Sequence, residues 1–332
     1  MTGQSATEWE LEEQLVRAAW YYYVDELTQD EIAKKLSVSR ASAGRMLEKA
    51  RRAGIVTFTI NSDYLPVFEV GRRLIEVHGL RDALVIPSVG DATEKQSVTN
   101  QRVARGGAQY LQSQLKPGQT LAMGWGDTVR KTFDLLPTDL MTQVSTVTLT
   151  GGVDAYVTAL RKVRGVGTDG ADDWVIPTPI LVSSPEMARA LYQEDGVRQV
   201  IERARGADHA LIGIGALTGF PTLAQFGYAE TAELQRFGAA GAVGDVLGLF
   251  YDSQGHIVDL PLNDRRIGIG IDELRAIPNV VGVAGGMDKV PAIRGALAGG
   301  YLDVLVTSEE VARALLGDAT TTDSTEIEEA RT

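Results

Sequence analysis

The chain has 332 residues, room for a small domain beside a large one, and 44% of them are apolar, enough to build a core. There is no cysteine, which excludes disulfides, thiolate metal sites and a cysteine nucleophile. The three histidines (His78, His209 and His256) lack ligand spacing, so neither a metal nor any other cofactor is expected. The net charge is −12, yet Thr28 to Gly54 carries seven Lys or Arg against three Asp or Glu, leaving a +4 segment on a −16 remainder: a localised anion-binding face, or a solvated basic helix.

The N-terminus is acidic and aromatic, without the basic and then apolar order of a signal peptide. No apolar run reaches the roughly 18 residues needed to cross a bilayer. A cytoplasmic protein with no membrane partner is expected.

Residues 8–26 read as a helix with Leu11, Leu15, Ala18, Ala19 and Tyr22 inward. Thr28 and Glu31 form a capping-box pattern ahead of a short helix, QDEIAKKL, with Ile32, Ala33 and Leu36 inward. Ser37-Val38-Ser39 is a tight connection. A third helix spans Arg40 to about Ala53, and Gly54 suits its C-terminal stop. At about 100° per residue, Leu47, Ala50, Ala43 and Met46 share one sector of that helix, while Ala41, Arg52, Arg45, Lys49 and Ser42 share another. The first face packs and the second offers donors. Ser39, Arg40, Ala41, Ser42 and Arg45 lie at the end that meets base edges in a helix-turn-helix; Lys49 and Arg52 suit phosphates. A small helical dimerisation bundle would explain the helices and their apolar face, but not the basic, small-residue outer one. One head makes few contacts, so operator affinity calls for two heads and a homodimer or homotetramer.

IVTFTI, 55–60, alternates like a short strand and closes a head over 1–60, with a linker at 61–66. From 67 to 317 apolar strands alternate with helices. Strands are expected at 82–87, 120–125, 145–150, 209–215, 246–252, 279–285 and 303–308, and helices at 94–115, 127–136, 186–205, 228–237, 289–298 and 308–316. This pattern predicts a Rossmann-like, mostly parallel sheet covered on both faces. The acidic tail, 318–332, has the composition of a disordered segment.

Three loops of the large domain carry candidate ligand chemistry. Gly124-Trp125-Gly126-Asp127-Thr128 follows a strand and opens a helix, as a phosphate cradle does, although the same pattern fits a tight strand-to-helix turn. Asp127 would repel an anion if turned inward and is expected to cap the helix instead. Gly285-Gly286-Met287-Asp288-Lys289 repeats the strand–glycine–helix order and adds an ammonium. Asp245 can accept from vicinal hydroxyls or cap a turn. In open parallel sheets such strand-end loops are where ligands bind. No catalytic triad or zinc set is evident, and no enzymatic activity is expected. The alternative is a sugar-phosphate isomerase or deaminase carrying an accessory head.

With these residues in place, the chain from about Leu11 to Gly317 resembles the SorC family of sugar-responsive bacterial transcriptional regulators. The resemblance runs through TQDEIAKKLSVSRASAGRMLEKARRAGIV, GWGDT, GAVGDVLGLFYD and VAGGMDKVPAIRGALAGGYLDVLVTSEEVARALL. It implies an α/β protein with a helix-turn-helix, winged-helix-like head. Its effector domain would be similar to the glucosamine-6-phosphate deaminase and ribose-5-phosphate isomerase fold. Implied partners are double-stranded operator DNA and a small phosphorylated sugar. By position, Gly124, Gly126, Thr128, Gly286 and Lys289 would contact the phosphate, and Asp245 the hydroxyls; Trp125, Asp127 and Gly285 complete those loops.

Overall fold

The computed structural model describes residues 6–56, 65–88, 96–152, 172–217 and 231–317. It divides into two compact units, Met1–Leu65 and Pro66–Thr332.

The first unit holds α1 (Ala6–Tyr23), α2 (Gln29–Leu36) and α3 (Arg40–Arg52). The capping box forms. Thr28 N–H donates to Glu31 Oε2 at 2.8 Å, and Thr28 Oγ1 accepts from the Glu31 N–H at 3.4 Å. Ser37 takes a left-handed conformation, φ 54°, which turns the chain, and Ser39 then caps α3. Ala18, Ile32, Ala33, Ala43 and Leu47 bury together at the crossing of the three helices. Tyr22 stays exposed rather than turning inward. Ile55 and Val56 form a bend packed on Leu15 and Ala50; the rest of the expected strand, and with it any wing, lies outside the described residues.

Next comes α4 (Leu65–His78), which is not among the expected helices; it buries Val67, Val70 and Leu74 at helical spacing. The main sheet has seven parallel strands: β1 (Asp82–Ile86), β2 (Thr120–Met123), β3 (Ser145–Thr148), β4 (Asp173–Trp174), β5 (His209–Gly213), β9 (Val280–Val283) and β10 (Val304–Ser308). Their order is β1-β10-β9-β5-β2-β3-β4. One apolar layer, with Leu74, Ile212, Ile293 and Leu305, covers one face; another, with Val103, Leu111, Phe133, Val283 and Val306, covers the other. Between the strands lie α5 (Gln96–Gln114), α6 (Asp127–Asp134), α7 (Thr138–Met141), α8 (Pro185–Gln193), α9 (Asp195–Arg205), α10 (Thr231–Ala239), α11 (Ile271–Arg275) and α12 (Val290–Ala298), and α13 (Glu309–Leu316) follows β10.

Two expected elements are corrected. The helix expected over 186–205 is two helices, because Glu194 is extended (φ −69°, ψ 130°) and restarts the chain at Asp195. The strand expected over 246–252 is an antiparallel hairpin outside the main sheet. Here β6 (Gly215–Ala216) pairs with β7 (Gly244–Val246), and β7 with β8 (Leu249–Tyr251). Leu247 and Gly248 both have positive φ, 56° and 77°, and make the two-residue turn. The tail after Gly317 lies outside the described residues.

From β2 the chain proceeds outward to β3 and β4. With β5 it returns to the opposite side of β2 and continues to β9 and β10. The reversal lies between β2 and β5, and in open parallel sheets the carboxyl ends of the strands at such a reversal are where ligands bind.

Candidate functional site

In the first unit, α3 presents the residues its sequence pattern assigned outward. Ser39, Arg40, Ala41, Arg45, Lys49 and Arg52 are exposed, and Ser42 is half-buried. Arg45 donates to Ser42 Oγ at 3.0 Å, and Ser42 N–H donates to Ser39 Oγ at 3.1 Å, so the first turn carries a linked hydroxyl–guanidinium set. Arg40 stands 3.5 Å from Asp30 and Arg52 pairs with Glu48. Among the described residues Arg45 and Lys49 form no ion pair, so their charge is available to an external anion.

In the second unit three loops carry the expected ligand chemistry. After β2 the Gly124 N–H donates to Leu211 O on β5 at 2.8 Å. A Cβ at Gly124 would stand 3.0 Å from Leu247 Cδ2 and 3.4 Å from Ile212 Cα, so a side chain there would press on both. Gly126 has φ 128°, which L side chains rarely adopt, and leads into α6 without a side-chain cap. Thr128 is buried and Trp125 half-buried. Asp127 corrects the expectation: it is the first helical residue and not the cap. Its carboxylate takes Lys131 at 2.6 Å, Arg130 at 3.2 Å and Asn100 at 3.4 Å. Burial pushes its pKa up, but those donors outweigh burial and hold it below the usual range. Its charge is therefore matched locally, which leaves the first-turn N–H groups of α6, beyond the reach of any helical carbonyl, to face an anion.

After β9, Gly285 is buried and Gly286 has φ 103°. The turn Met287–Lys289 sets Lys289 half-buried ahead of α12. Its ammonium makes no ion pair within 4 Å among the described residues. Burial pulls its pKa down, opposed by the fields of Asp288, Asp245 and Asp127.

The third loop is the β7–β8 turn. Asp245 is 8% exposed, and its Oδ2 accepts from the Gly248 N–H at 3.1 Å. Burial raises its pKa to about 6, with Gly248 and Lys289 pulling the other way. A Cβ at Gly215 would collide with the Asp245 carboxylate, so β6 must carry glycine beside it. Two participants were not singled out in the sequence. Leu247 packs over Gly124 from its left-handed turn, and Gln96 on α5 donates to Gly285 O at 2.9 Å. Backbone donors, a half-buried ammonium and a buried carboxylate are thus carried by three loops of the second unit, a set suited to a polyhydroxylated anion. Among the described residues no helix is long and apolar enough to cross a membrane, and no group of three His, Asp or Glu could hold a metal ion.

Comparison with known proteins gives these surfaces their context. Residues 62–317 match the family model described as "Putative sugar-binding domain". The chain is 37% identical over 309 residues to the transcriptional regulator LsrR of Escherichia coli strain K12, covering 92% of this chain and 95% of that protein. It is 38% identical to the LsrR of Klebsiella pneumoniae over the same length, covering 92% and 93%. Its fold matches the crystal structure of the full-length sorbitol operon regulator SorC from Klebsiella pneumoniae with a TM-score of 0.68 at 27% identity, covering 95% of this chain and 100% of that one. These relatives are regulators and not enzymes, which sets aside the isomerase or deaminase alternative. With a helix-turn-helix head on a parallel α/β unit matched from 62 to 317, the chain belongs to the SorC-type family of sugar-binding transcriptional regulators.

Proposed function

We propose that this regulator binds operator DNA through α3 and that a small phosphorylated sugar, seated among the three loops of the second unit, shifts the balance between DNA-competent and incompetent states. The observation that carries the reading is the unpaired Lys289 ammonium beside two glycine-lined loops and a buried Asp245. The phosphate would lie against Gly124, Gly126, Thr128, Gly286 and Lys289, bordered by Trp125, Asp127 and Gly285. The sugar hydroxyls would donate to Asp245. On the head, Arg45 and Ser42 would read base edges with Ser39, Arg40 and Ala41 near them, and Lys49 and Arg52 would hold phosphates. The protein would act in the cytoplasm as a homodimer or homotetramer, since a two-fold operator needs two heads.

The effector can act only through unequal affinity for the two states. The test is a pair of variants. Arg45→Ala should abolish operator binding in a gel shift while sugar-phosphate binding survives, and Lys289→Met should do the reverse. Loss of both activities in either variant would contradict two separate sites.

A further inference from the structure

The first turn of α5 bridges two of these loops. Gln96 donates from Nε2 to Gly285 O at 2.9 Å and to Asn100 Oδ1 at 2.9 Å. Asn100 in turn donates from Nδ2 to Asp127 Oδ2 at 3.4 Å. These three bonds join the loop after β9 to the loop after β2 through two amides on one helix face, four residues apart. The carboxamide of Gln96 also lies against Gly286. A Cβ built there would collide with Gln96 Oε1 and Nε2 and with Asp288 Oδ1. The face that Gly286 keeps open by having no side chain is therefore filled, in the free protein, by the Gln96 amide together with the Asp288 carboxylate.

We infer that Gln96 competes with the effector for the Gly286 face and so sets effector affinity, with Asn100 as its second anchor. The inference rests on the sugar-phosphate reading above. A phosphate and the carboxamide demand the same space, each filling a volume of a few heavy atoms against the glycine, although the amide holds its place by donating to Gly285 O and Asn100 Oδ1. They cannot share the glycine face. The incoming anion must release Gln96 from Gly285 O and break the amide link to Asn100, and the protein–amide bonds lost are subtracted from the binding free energy. Gln96 is exposed and starts its helix, so it can swing out without unpacking the core. Buried α5 residues such as Val103 and Leu111 hold the rest of the helix in place.

The experiment uses the full chain and inorganic phosphate as the probe, with dissociation constants from calorimetry or 31P line broadening. Gln96→Ala removes the competing amide and should tighten phosphate binding about tenfold, the change expected when one or two modest hydrogen bonds no longer have to be broken. Asn100→Ala removes only the second anchor and should tighten it about threefold. Lys289→Met should weaken binding in both backgrounds. Equal affinity in Gln96→Ala and the parent would overturn the inference while leaving the effector site standing. Weaker binding in Gln96→Ala would also overturn it, by showing that Gln96 is a donor to the ligand. No binding by parent or variants would overturn both the inference and the phosphate reading beneath it.

Discussion

Asp245 is the residue at which the fold and its proposed use pull hardest against each other. Its carboxyl is 8% exposed, accepts from the Gly248 backbone N–H, and has its pKa raised by burial from 3.8 to about 6. A carboxyl whose pKa is higher folded than unfolded stabilises the fold fully below its unfolded value and loses that contribution as pH rises through the folded one. The shift of about two units corresponds to about 3 kcal/mol of stability absent at pH 8 relative to acid. Asp245→Asn keeps the shape and an oxygen for the Gly248 N–H but cannot ionise. It should stabilise the second unit by up to about 3 kcal/mol at pH 8, and the gain should shrink by about half at pH 5. Urea unfolding followed by near-UV circular dichroism at the two pH values measures this. A loss of stability at pH 8, or a gain independent of pH, would refute the reasoning and show that the carboxylate is stabilised by something other than its surroundings described above. Retention of an ionisable group at such a position is what a binding site gives up in stability.

Two further outcomes follow from single contacts. Thr28→Ala removes the hydroxyl half of the capping box and leaves the backbone N–H at 28 on Glu31 Oε2; it should lower the stability of α2 by about 1 kcal/mol, read in the full chain as roughly fivefold faster amide exchange in that helix, and unchanged exchange would show that the hydroxyl contributes nothing. Thr307 is fully buried and its Oγ1 has no hydrogen-bond partner among the described residues, so Thr307→Val should be neutral or stabilise by about 1 kcal/mol on urea unfolding, whereas a clear loss would mean the hydroxyl is bonded.

The head was legible because its signals are local. Thr28 and Glu31 are three residues apart, and the outward set on α3 follows from helical geometry alone. The parallel strands were legible as short apolar runs, since both faces of the sheet are covered. What escaped depends on contacts distant in sequence. Leucine is a poor marker for a left-handed turn, so Leu247 hid the β7–β8 hairpin inside an apolar run; its conformation is held by burial against Gly124, more than a hundred residues earlier. The break at Glu194 carries no proline, and only Gly196 hints at it. The glycine loops and Lys289 were visible as motifs. Gln96 and Asn100 were not, because an amide on a polar helix face reads as solvent-exposed until Gly285, Gly286 and Asp127 are folded against it.

The central claim, one chain in which a sugar phosphate controls operator binding, is tested most directly by fluorescence anisotropy. The full-length protein is titrated onto duplex from upstream of its own gene, at several salt concentrations, with and without a panel of sugar phosphates. The account predicts affinity that falls steeply with salt, as phosphate contacts require, and a shift in affinity with at least one sugar phosphate that disappears in Lys289→Met. Binding insensitive to salt, or a ligand response unchanged in Lys289→Met, would contradict it.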